Sequence, residues 1–90
     1  MIEEKEIKNC IRAIKKRLDD KRINRFCNSS IKIGYIKSLE ILEKKICIYE
    51  DANINELPTV QSRAVAVLAV DFLNGECTDS VLLGVPIKDK

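Results

Sequence analysis

Residues 31–51, IKIGYIKSLEILEKKICIYED, decide the fold. Tyr35, Leu39, Leu42, Ile46 and Tyr49 recur at alternating steps of four and three, the stripe of a helix packed along one side. A second seam, Ile41 and Ile48, runs seven residues apart down the far side, with Lys37 and Lys44 flanking it. A helix with apolar residues on two faces is covered on both, by its own chain or by another. Gly34 costs about 1 kcal/mol against Ala in a helix interior, so the helix is expected to begin near it. The alternation Ile31, Ile33, Tyr35 then reads as a short extended lead-in.

Before this stretch, residues 3–20 form an amphipathic helix. Ile7, Ile11, Ile14 and Leu18 share one stripe, and Glu3, Glu4 and Glu6 occupy the first turn, where the helix dipole favours anions. Cations take the other side. Residues 21–30 show no clear period and read as a loop with a short helical piece, in which Asn28, Ser29 and Ser30 can cap the next helix.

After the central stretch, residues 52–58 read as a connection. Pro58 and Thr59 open a third helix, Thr59–Asn74, with Gly75 as its left-handed stop. Val65, Leu68, Ala69 and Phe72 share one face of it, and Arg63, Val67, Asp71 and Asn74 the opposite one. Asn74-Gly75 is also a hairpin-turn signal, so the alternative is an α+β fold with a C-terminal β-hairpin at residues 64–87. Frequent Ala and the length of the run favour the helix. Residues 76–90 form a tail, expected to lie extended across the bundle. The fold expected is therefore mainly α: a small three-helix antiparallel bundle with an extended C-terminal segment, one domain over residues 1–90.

Composition narrows the function classes. Apolar residues make up 46% and charged residues 33%, the balance of a globular chain rather than a disordered one. Aromatics are few (Phe26, Tyr35, Tyr49, Phe72), so the core is aliphatic. Met1 to Lys5 is charged at once, unlike a secretory leader, and no apolar run approaches the roughly 20 residues of a membrane span. Cytoplasm is the expectation, without membrane association. The four cysteines (Cys10, Cys27, Cys47, Cys77) never form C-x-x-C, and turn residues are sparse, with three Gly and two Pro. Reduced thiols in the core are expected rather than a disulfide framework.

Histidine is absent and the nearest cysteines stand seventeen residues apart, so no metal or other cofactor is expected. The same lack removes the commonest general base near neutral pH, and Gly34, Gly75 and Gly84 are isolated rather than a phosphate-cradling loop. No catalytic residue is assigned, and a non-enzymatic role is expected. Asp71 stands out inside an apolar run and fits an edge or interface.

Charge is the most informative feature. Residues 5–37 carry eleven Lys and Arg against three acids, residues 50–90 carry three against seven, and the net charge of +2 hides this polarity. Two surfaces follow. Ile41 and Ile48, with Val60 and Val67 of the third helix, form the expected oligomer interface of a homo-oligomeric protein-binding or regulatory module. By size and Ile/Lys-rich composition it suits a mobile-element or phage accessory factor docking on another protein. The alternative is nucleic-acid-backbone binding through Lys5, Lys8, Arg12, Lys15 and Lys16, continued by Lys21, Arg22 and Arg25. A small anionic ligand captured between subunits is the third reading.

Overall fold

The computed structural model describes residues 2–19 and 29–85. Among these residues it places four helices: α1 (Glu4–Asp19), α2 (Ser29–Lys44), α3 (Val60–Leu73) and the short α4 (Asp79–Leu83). Two 3₁₀ turns, Glu50–Ala52 and Ile54–Glu56, lie in the connection between α2 and α3. Among the described residues there is no strand, so the chain is a small helical bundle and the hairpin alternative falls.

α1 forms where the stripe predicts, with Glu4 and Glu6 in its first turn and Lys16 and Arg17 in its last, both favourable to the helix dipole. Its buried line is Ile7, Cys10 and Ile14, while Ile11 and Leu18 are half-buried at the margins. The expected loop at 21–30 lies almost wholly outside the described residues, as do Lys21, Arg22, Arg25 and Cys27.

α2 starts earlier than Gly34 and stops earlier than the stripe. Gly34 lies inside the helix because α3 crosses over it. A Cβ there would stand 2.7 Å from Val65 Cβ and 2.9 Å from the Ser62 carbonyl oxygen. Ser38, one turn on and fully buried, donates its hydroxyl to the Gly34 carbonyl at 2.8 Å and to the Val65 carbonyl at 3.4 Å. Small residues thus let two backbones approach closely, as they do at tight helix crossings generally.

The helix ends at Lys44 in a Schellman motif. Lys45 takes a left-handed conformation (φ 54°), its N–H donates to the Leu42 carbonyl at 3.3 Å, and the Ile46 N–H donates to the Ile41 carbonyl at 3.0 Å. Ile46 and Tyr49 therefore leave the helix, and the expected helix over 45–51 is corrected to a turn followed by a return segment.

That return segment sets the topology. Gly34 lies against Ser62 and Val65 near the starts of α2 and α3, and past their ends Asn74 Nδ2 donates to the Cys47 carbonyl at 2.9 Å. α2 and α3 run in the same sense, and residues 45–59 carry the chain back along α3. Antiparallel packing holds between α1 and α2: Arg17 lies 5.5 Å from the centre of the Tyr35 ring at one end, and Glu4 pairs with Lys45 at 3.7 Å at the other.

α3 begins with a capping box. The Ser62 N–H donates to Thr59 Oγ1 at 3.1 Å and the Thr59 N–H donates to Ser62 Oγ at 3.2 Å. It ends as expected at Gly75 (φ 76°), with Glu76 N–H donating to the Asp71 carbonyl at 2.9 Å. Within the described residues the tail packs on the bundle as the short helix α4 rather than extended, and residues 86–90 lie outside them. Leu82 is fully buried, and the Tyr35 hydroxyl donates to the Leu82 carbonyl at 2.7 Å. Arg17 joins the same anchor, donating to the Leu83 carbonyl and, at 3.2 Å, to the Val85 carbonyl.

Candidate functional site

The side of α1 opposite Ile7, Cys10 and Ile14 faces solvent, and a helix puts residues three and four apart on one face. Lys5, Lys8, Arg12, Lys15 and Lys16 all stand exposed there. From Lys5 to Lys16 the row covers about 16 Å at about 1.5 Å per residue. Lys8 Nζ lies 4.0 Å from Glu4 and Lys15 Nζ lies 3.8 Å from Glu43, both exposed pairs of small worth. Lys5, Arg12 and Lys16 make no ion pair among the described residues. Two shallow depressions run along the face, one bordered by Lys5, Lys8, Asn9 and Arg12, the next by Arg12, Lys15, Lys16 and Asp19. Arg12 borders both. Arg17 is excluded from this face, turned inward to Tyr35 and the end of α4.

The residues expected at an oligomer interface do not come together. Ile41 is 0% exposed inside its own protomer, so it is closed to a second chain. Burying such a side chain is worth about 1.5–3 kcal/mol, which Ile41 contributes to the fold instead. Ile48 is 54% exposed but lies in the return segment, off the helix that was to carry the seam. Val60 is 71% exposed at the start of α3, whereas Ile48 neighbours Cys47, which is held at the far end of α3 by Asn74. The helix is 14 residues long, so the two lie about 20 Å apart. Val67 is half-buried beneath the return segment. The two faces of α2 are covered within the fold, by α1 and by α3.

The sequence pattern did not show a second surface. Tyr49, Glu50, Asn53, Glu56 and Val67 line an open groove between the return segment and α3. The Tyr49 hydroxyl donates to the Asp71 carboxylate, which explains the acid in the apolar run. That hydrogen bond chiefly, with burial and the charges of Asp71 and Glu76 adding to it, pushes the Tyr49 phenol up to about 12. Its signal was hidden because Tyr49 fitted the stripe of α2.

Cys10, Cys47 and Cys77 are free thiols. Burial chiefly, with Asp79 and Cys77 adding to it, pushes the Cys10 thiol up to about 12, so it packs as a small hydrophobe and is a poor nucleophile. Among the described residues no three His, Cys, Asp or Glu side chains are placed to hold a metal ion, and no helix is long and apolar enough to cross a membrane. Comparison with known proteins adds no relative: the chain matches no family model, no curated protein and no solved structure.

Proposed function

We propose that this chain is a non-enzymatic binding module that grips the phosphate backbone of a nucleic acid with the cationic face of α1. One observation carries the reading. The described cations singled out by sequence share one solvent face, and Lys5, Arg12 and Lys16 have no carboxylate partner there. Unpaired cations on a rigid rod release counterions from a polyanion on contact, and this term is indifferent to base sequence. The face offers no aromatic platform for stacking, so backbone contact without base readout is the mode it suits. The cytoplasm is the compartment proposed, since it keeps thiols such as Cys10, Cys47 and Cys77 reduced.

The experiment is fluorescence anisotropy of a labelled duplex across a salt series. Engaging three to five cations gives a log–log slope of about −3 to −4.5, from roughly −0.9 per phosphate neutralised. The variant Lys5→Glu/Arg12→Glu/Lys16→Glu should lose binding at every salt concentration while melting like the parent. A wild-type chain that does not bind at low salt, or a charge-reversed one that binds equally well, ends this reading.

A further inference from the structure

We infer that the groove between the return segment and α3 is a docking surface for α1 of a second copy of this chain. Charge is segregated within the protomer. On the α1–α2 side, cations outnumber acids: Glu4, Glu40 and Glu43 each have a lysine partner, while Glu3, Glu6 and Asp19 have none among the described residues. On the other side, Glu50, Asp51, Glu56, Asp71 and Glu76 have none among the described residues. The nearby cation, Arg63, is committed to the Leu57 carbonyl at 3.1 Å.

The groove is more than a set of acids. Tyr49, about half exposed, and Val67 line it together with Glu50 and Glu56, so apolar surface and carboxylates share the groove. A row of Lys and Arg satisfies both parts of that surface: the methylene stems cover the apolar part, the charged heads reach the carboxylates, and a guanidinium can lie on the Tyr49 ring.

α1 supplies such a row in Lys5, Arg12 and Lys16. It cannot reach the groove of its own protomer, because it packs on α2 with its cations turned away from the core, and the groove lies beyond α3. A second copy can reach it. The contact is head-to-tail, so a pair still offers a free groove on one protomer and a free α1 face on the other, and assembly continues unless the geometry closes a ring. Exposed charge pairs are individually weak, which makes the association concentration-dependent and salt-sensitive. Docking uses the same α1 face as the proposed phosphate contact, so polyanion and second copy compete for it.

The test is sedimentation of the full chain at about 10 mM and about 1 M salt, where the screening length falls from roughly 30 to roughly 3 Å. The wild type should at least double its weight-average mass at low salt and high concentration, and return to a lone protomer at high salt. Glu50→Lys/Glu56→Lys and Arg12→Glu/Lys16→Glu, all at exposed positions, should each remain protomers. Mixed in equal amounts, they should assemble again, since the unaltered α1 face of one meets the unaltered groove of the other and the two reversed faces complement each other as well. A wild type that stays a protomer at low salt overturns the proposal, and so does a groove variant that assembles like the parent. Poly-lysine binding to a chain that never self-associates assigns the groove to a foreign basic segment and overturns it as well. The two readings fail separately, because Glu50→Lys/Glu56→Lys loses assembly while keeping the α1 cations that bind nucleic acid.

Discussion

Gly34 and Gly75 are the same residue used for opposite reasons. Gly34 has an ordinary helical backbone and no room: the Ser62 carbonyl and the Val65 side chain occupy the place of its Cβ. Gly75 has ample room, with nothing within 4 Å of an added Cβ, but holds φ at 76°. One position is constrained by a neighbouring helix, the other by its own backbone. A sequence pattern exposes the second kind, because the stop of a helix is local, and hides the first, because the obstructing residues Ser62 and Val65 lie 28 or more residues away.

Alanine at each position separates the two constraints, and the larger effect belongs to Gly34→Ala. Helix propensity alone would make this change stabilising by about 1 kcal/mol. Overpacking a close crossing costs about 1–3 kcal/mol and sometimes more, and here one obstructing atom is backbone, which yields least. The expected net loss is about 2 kcal/mol, read from urea unfolding. A gain of about 1 kcal/mol would mean that the helices do not meet at Gly34. Gly75→Ala follows, with an expected loss of about 1–2 kcal/mol from forcing an L side chain into the left-handed region. Because no packing is involved, that loss should be nearly the same for Gly75→Ser, whereas at Gly34 a larger side chain should cost progressively more.

The same division explains what could be read in advance. α1 and α3 were legible because their signals are local: an apolar stripe opposite a cationic one, Thr59 at one end and Gly75 at the other. The cationic face was legible for the same reason, since a single helix carries all of its described members. The end of α2 was not legible. Ile46 and Tyr49 continue the heptad arithmetic after the helix has stopped, because Ile46 folds back beside Ile41 and Tyr49 reaches Asp71. Extending the helix through them placed Ile48 on a seam with Ile41 that does not exist. The groove escaped notice because its walls, residues 49–56 and Val67, meet only after the chain turns back at Lys45.

Lys45 completes the comparison, since it holds the backbone of Gly75 without being glycine. Lys45→Gly should relieve the left-handed strain, worth about 1–2 kcal/mol. Two losses oppose it. Glycine adds about 0.4–1 kcal/mol of freedom to the unfolded chain. The change also removes the exposed pair between Lys45 and Glu4, 3.7 Å apart, worth about 0.2–1 kcal/mol at low salt. The balance is close to zero at low salt, a gain of about 0.2 kcal/mol from the middle of those ranges and the smallest effect of the three. Salt separates its parts, because screening weakens only the ion pair. The advantage of Lys45→Gly over the wild type should therefore widen as salt rises, while the deficit of Gly75→Ala stays level. If Lys45→Gly is destabilising at every salt concentration, Lys45 is not under left-handed strain, and the two helix ends are not the same motif.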